Sequence, residues 1–232
     1  MSSWQQFISG FDFQPALELL LNAIPAMVCI TLHELSHGYV AYRLGDPTAK
    51  MAGRLTLNPI RHLDLVGFLM LVVARVGWAK PVPVNMYNFK NPKRGMAITA
   101  LAGPVSNFII TAVFIMLYGF FLPLVVQSGA SGFAMTCYNL LYWTAYLSLG
   151  LGLFNLLPIP PLDGSKILFS FLPDSAYRKL MRYEKYGMIL LIALAYFGVT
   201  GHFLNNIIGT VFDWFLKLGD LALRWGYSLF IA

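Results

Sequence analysis

One apolar run, from about Pro15 to Tyr42, constrains this chain more than any other feature. A helix from Pro15 to Leu44 would be about 45 Å long at 1.5 Å per residue, enough to cross a hydrocarbon layer of about 30 Å with a tilt. The run is too long for a signal-peptide core and no basic segment precedes it, so it reads as a span that stays in the membrane. Composition agrees, because 58% hydrophobic and 11% charged side chains leave too little polar surface to cover a soluble domain. Lipid is the expected solvent. The formal charge of +6 is then informative through its placement, and no nucleic-acid partner is expected. Cys29 and Cys137 both sit in apolar runs and read as small buried hydrophobes rather than a disulfide.

Turn signals divide the rest into one membrane-embedded domain over 1–232. Gly45-Asp46-Pro47 stops the first helix. Residues 48–94 change character. Met51–Leu57 alternates imperfectly and reads as a short strand, and Leu63–Val76 is apolar but short for a span. Pro81-Val82-Pro83-Val84 reads as an extended edge. A second helix is expected from about Met96 to Phe121, ending near Pro123, and a third from about Phe133 to Leu157, broken by Pro158-Ile159-Pro160-Pro161. A polar loop with Arg178, Lys179, Arg182 and Lys185 precedes the C-terminal helices, about 183–232. The fold class is therefore an all-α polytopic membrane protein, with about five to six membrane-associated helices and a small re-entrant β element between the first and second core helices.

Charge placement gives the orientation. The loops after the first and third helices hold most of the basic residues, whereas the N-terminal tail and Gln127–Gly132 hold none. Both basic loops then face the cytoplasm and the N-terminus faces out, provided Leu63–Val76 dips in and returns. In the last segment Asp213, Lys217, Asp220 and Arg224 recur at steps of four, three and four. That stripe suits an amphipathic helix at the interface, or one turned toward the bundle or another subunit.

The chemistry is concentrated in His33-Glu34-Leu35-Ser36-His37. Residues four apart share a helix face, so both imidazoles can reach one ion, and Glu34 can reach a water on it. Ionisable groups in an apolar helix are expensive without partners, and functional by default. A catalytic zinc takes three protein ligands and keeps one position open. Of the other histidines, His62 lies beside Arg61 in a loop, solvated or capping, and His202 falls toward the opposite face. Asp163 follows the proline break at the same end as His37, although a helix N-cap before Gly164-Ser165-Lys166 also explains an aspartate there.

Together with Gly103-Pro104-Val105-Ser106-Asn107 and Asn155-Leu156-Leu157-Pro158-Ile159-Pro160-Pro161-Leu162-Asp163-Gly164, that motif resembles the site-2 protease family of intramembrane zinc metalloproteases. The resemblance covers residues 25–170 and suits the short branch without PDZ or CBS domains. It implies one zinc per chain on His33, His37 and Asp163, with Glu34 as general base. It implies that Asn155 stabilises substrate or oxyanion and that Asn107 helps align substrate, where an ordinary interhelix hydrogen bond explains Asn107 equally well. It implies that the strand-bearing region is a membrane re-entrant β element, over about 48–94 in the catalytic core of about 15–170.

The expected function is hydrolysis of a peptide bond in or near a transmembrane segment, in a prokaryotic cell membrane with the site near the cytoplasmic face. The partners are the lipid bilayer and a transmembrane-segment peptide or single-span substrate, and an oligomer is compatible with the sequence. Two other classes compete: a catalytically inactive membrane-binding relative, which has no need of Glu34, and a metal transporter or relay. The latter requires ionisable residues strung across the membrane, whereas here they gather near one face.

Overall fold

A computed structural model describes residues 14–67, 78–196 and 199–231. Seven α-helices follow in order among the described residues: α1 (Gln14–Arg43), α2 (Thr48–Met51), α3 (Pro92–Gln127), α4 (Phe133–Asn155), α5 (Asp163–Ser170), α6 (Asp174–Tyr196) and α7 (Val199–Phe230). Two 3₁₀ turns, Pro59–Arg61 and Met86–Asn88, lie between α2 and α3.

The axis of the molecule is α3, which packs against α1, α4, α5 and α7. Asn91 caps it, its side chain accepting from the Arg94 N–H, and Pro92 occupies the first turn, where no backbone donor is needed. The helix runs past the expected stop, through the buried Pro104 and Pro123. Each proline removes one bond of the helical ladder, yet the helix, packed against α1, α4, α5 and α7, continues to Gln127. Among the described residues α3 alone is long and apolar enough to cross a membrane.

The core lies where α3, α4 and α7 meet, around Ile115, Ala145, Leu149, Ile208 and Phe212. Phe212 sits edge-on to the rings of Tyr142 and Tyr146. Helix α7 approaches α3 so closely that a Cβ on Gly119 would stand 2.1 Å from the Gly219 carbonyl oxygen. Small residues at a crossing allow this backbone approach.

The segment between α1 and α3 differs from the sequence expectation. There is no strand over Met51–Leu57. One helical turn, α2, runs into a turn at Ala52-Gly53, where Gly53 takes φ +64°. Arg54 is then drawn inward, 6% exposed, to donate from Nη2 to the Lys80 carbonyl at 2.6 Å. An inward-pointing arginine breaks the alternation a strand needs. Among the described residues, β pairing is limited to one antiparallel bridge, Leu63 to Ala79, so the re-entrant β element is not supported. Most of the Leu63–Val76 stretch expected to dip and return lies outside the described residues.

Three smaller corrections follow. The polar stretch from Arg178 to Lys185 belongs to α6, which begins at Asp174. An acidic residue in the first turn favours that start, and Asp174 is tied to Lys93 Nζ at 2.8 Å. Cys137 is exposed on the outer side of α4, unlike the buried Cys29, and both thiols are free. His62 is buried, 1% exposed, with Nε2 within 2.9 Å of the Thr56 carbonyl, because its own carbonyl receives the Lys80 N–H and pins the loop inward.

Candidate metal centre

His33 and His37 lie one helical turn apart on α1 and both face α3 at Gly103. A Cβ at Gly103 would stand 2.4 Å from His37 Nε2 and 2.5 Å from His33 Cε1, so only the missing side chain leaves room for the two rings. One turn earlier on α3, the Thr99 carbonyl lies 2.7 Å from His37 Nδ1. A carbonyl only accepts, so Nδ1 carries the proton and the Nε2 lone pair is turned into the cluster. The third member comes from across the bundle. Asp163 is the first residue of α5, 8% exposed, and the Leu156–Leu162 turn brings it back to α1.

The three side chains converge. Asp163 Oδ2 lies 3.2 Å from His33 Nε2 and 3.1 Å from His37 Nε2, and the two Nε2 atoms are 3.0 Å apart. Donors at a tetrahedral centre with bonds of about 2.0–2.1 Å stand about 3.3 Å apart, close to this spacing. Asp163 Oδ2 and His33 Nδ1 are buried without a hydrogen-bond partner. Electron-rich atoms packed this closely away from water are unfavourable unless a cation sits among them. Two imidazole nitrogens and one carboxylate oxygen are the donor set zinc accepts, with a fourth position left for water or substrate.

Glu34 lies beside this cluster, partly buried. Its Oε2 accepts the Val82 N–H at 2.8 Å. Pro81 and Pro83 have no N–H, so Val82 carries the one backbone donor of that triplet. The segment is held at several points. Lys80 N–H donates to the His62 carbonyl at 3.0 Å, and Arg54 donates to the Lys80 carbonyl. Further on, the buried Asp46 at the end of α1 gathers Asn85 N–H at 2.7 Å, Asn88 Nδ2 at 2.7 Å and both donors of Thr48. Burial alone would raise the Asp46 carboxyl, but these hydrogen bonds outweigh it and hold it below the ordinary carboxylate range. The Val82 N–H of this non-helical segment is thereby engaged by Glu34.

Neither asparagine makes a hydrogen bond to the three side chains of the cluster. Asn107 is fully buried one turn beyond Gly103 on α3, packed near Gly152, and neither of its amide atoms has a partner. Asn155 ends α4, partly buried, and its Nδ2 donates back to the Leu151 carbonyl at 2.9 Å. Three contributors were missed from sequence: Gly103 as the space for the rings, the Thr99 carbonyl and the Val82 N–H. The glycine was readable as a small residue facing two large ones, and the Pro-Val-Pro triplet as a one-donor segment. The Thr99 contact runs through a backbone atom and has no side-chain signature.

The family model described as Peptidase family M50 matches residues 123–197, the stretch containing Asn155 and Asp163. The curated relative named "Putative zinc metalloprotease YwhC", from Bacillus subtilis, is 40% identical over 212 residues, covering 90% of this chain and 94% of its own length. Zinc metalloprotease RasP of Oceanobacillus iheyensis is 35% identical over 199 residues, 84% of this chain and 41% of its own. Zinc metalloprotease MJ0392 of Methanocaldococcus jannaschii is 29% identical over 190 residues, 81% of this chain and 45% of its own. The chain thus spans less than half the length of the latter two. No solved structure matches.

Proposed function

Because the chain belongs to peptidase family M50 and is a zinc metalloprotease, we propose that it cuts a peptide bond in or near a transmembrane segment, with His33, His37 and Asp163 as the zinc ligands and Glu34 as the general base. The observation that carries this reading is the buried triangle of Nε2, Nε2 and Oδ2 atoms, 3.0 to 3.2 Å on a side. Zinc held there supplies Lewis acidity, polarising a peptide carbonyl and making a water acidic near neutral pH.

The chain's own groups do the rest. His37 is held in one tautomer by the Thr99 carbonyl, so its Nε2 stays available as a ligand. Glu34 takes a proton from the attacking water and hands it to the leaving amine nitrogen, returning to carboxylate. The Val82 N–H holds one carboxylate oxygen, leaving Oε1 for the proton. Asn107 and Asn155 bind and align the substrate backbone. Asn107 supports such a role by having a buried amide with no partner in the chain.

The protein is read as polytopic in a prokaryotic cell membrane, with the site near the cytoplasmic face. Support comes from the apolar α3 and from its two ends. Lys93 and Arg94 stand at the end that carries Thr99 and Gly103, and the loop after Gln127 has no charge. The test is Glu34→Gln. It should lower cleavage of a transmembrane-segment peptide by about 10²–10⁴-fold while the zinc-to-protein ratio stays at wild type. Equal cleavage by the two proteins would remove Glu34 from the chemistry.

A further inference from the structure

The segment between α1 and α3 lies against one side of α1. A Cβ at Gly38 would stand 2.8 Å from Leu55 Cδ2 and 3.1 Å from Val82 Cγ1, so the segment passes directly over that glycine. Thr31, Glu34 and Gly38 follow at steps of three and four and share this side of the helix. Beyond Glu34, toward the start of α1, the two surfaces part. They leave a groove of about 310 Å³ between Met27, Val28, Thr31 and Leu32 of α1 and Leu57 of the segment, with Ile24 at its far end.

The groove has one polar feature. Thr31 is 4% exposed and its Oγ1 is buried with no hydrogen-bond partner, while the other described residues that line the groove are apolar. A buried hydroxyl left unpartnered is unfavourable. An apolar cleft of this size with a single polar group at one end suits a ligand that is mostly hydrocarbon yet carries a donor or acceptor. A lipid acyl chain has only the first property. A transmembrane segment drawn out of its helix has both, because its side chains are apolar and its backbone N–H and C=O groups have lost their partners. Position agrees. Thr31 stands one turn from Glu34, and Ile24 to Leu32 cover about 12 Å of helix at 1.5 Å per residue. An extended chain covers that length in about four residues.

We propose that this groove is a substrate subsite, an inference that deepens the proteolytic reading above and rests on it. It takes one apolar side chain, of leucine or phenylalanine size, from a residue within about four positions of the scissile bond. Thr31 Oγ1 bonds the unwound backbone beside that residue. Glycine and alanine leave the groove unfilled, and a lysine is stripped of water there without a partner. Val28, Thr31 and Leu57 thus determine which segment is cut and where, and take no part in the chemistry.

The experiment gives the zinc-loaded full chain, in lipid nanodiscs, a pool of lysine-flanked transmembrane peptides of about 20 residues. Positions around a central Asn-Pro are randomised among Gly, Ala, Leu, Phe and Lys, and mass spectrometry locates each cut. Wild type should favour Leu or Phe over Ala by about tenfold or more at one fixed distance from the cut. Val28→Trp fills the groove from α1, and Leu57→Trp fills it from a position already 67% exposed, where folding is little at risk. Each should shift the preference toward Ala by about tenfold at wild-type zinc content. Thr31→Val keeps the volume and the preference, and should lower kcat/KM about 3–10-fold for every peptide. Cleavage with no side-chain preference near the cut, or a preference that the zinc-loaded tryptophan variants leave unchanged, would overturn the subsite while the proteolytic reading stands. Phospholipid that co-purifies with wild type and is lost from Val28→Trp at unchanged preference would give the groove to an acyl chain instead. A pool left whole by zinc-loaded wild type would sink the proteolytic reading and the subsite with it.

Discussion

The candidate metal cradle and the segment beside it, described over residues 44–67 and 78–91, are built by different means. The cradle is assembled from three helices at close packing. His33 and His37 are seated on Gly103 of α3, and Asp163 is delivered by the first turn of α5. Among its described residues the cover holds one helical turn, α2, and two 3₁₀ turns. Its course is fixed by a few polar links: Asp46 to Asn85 and Asn88, Arg54 to Lys80, His62 to Lys80, and Val82 to Glu34. The contrast separates two tasks. In the proposed site, packed helices would hold the ion, and a cover tied down at named points would hold Glu34 as the base. Substitutions in the two regions should therefore fail differently.

The largest effect is expected in the cradle. Gly103→Ala places a methyl group where His37 Nε2 stands, and helix backbones on both sides resist yielding. Zinc affinity should fall by at least 10–100-fold, the range seen when a supporting group is lost, with far-ultraviolet dichroism unchanged. Full zinc loading in this variant would mean that α1 and α3 do not approach as described.

In the cover the effect should fall on turnover instead. Val82→Pro removes the N–H that holds Glu34. Hydrogen bonds to charged groups contribute about 1.5–3 kcal/mol, so kcat should drop about 10–100-fold with KM and zinc content near wild type. Val82→Ala keeps the N–H and should stay within a few-fold. If the two variants behave alike, Val82 acts by packing and not through the base.

The smallest effect is one of stability. Asp46→Asn should lower the melting temperature while activity of the folded protein changes little. The carboxyl is depressed in the folded state, so its contribution is fully present above the ordinary carboxylate value of about 3.9 and is lost as pH falls through its lowered folded value. The gap between wild type and variant should be constant near neutrality and close in acid below about pH 4. A gap that persists undiminished into strong acid would assign the effect to something other than charge.

The same division explains what the sequence disclosed. The cradle was legible because helical spacing alone puts His33 and His37 on one face, and because the proline break marks where Asp163 re-enters. The boundaries of α1 were legible for the same reason, from Pro15 to the Gly45-Asp46-Pro47 stop. The cover was not legible. Met51–Leu57 offered an alternation that Gly53 and the inward Arg54 dissolve, and His62, read as solvated or capping, follows the Pro59–Arg61 turn as its cap residue and is buried. Pro123 was read as a stop, although neighbouring helices carry α3 through it. These outcomes are decided by contacts between residues far apart in the chain, where local pattern has no purchase.

The proposed site requires that His33, His37 and Asp163 hold one zinc together. It is tested most directly by the zinc-to-protein ratio of Asp163→Ala, purified beside wild type and dialysed against a weak chelator. Wild type should give a ratio near one, and the variant near zero at equal helix content. A folded Asp163→Ala protein that keeps equimolar zinc would contradict it.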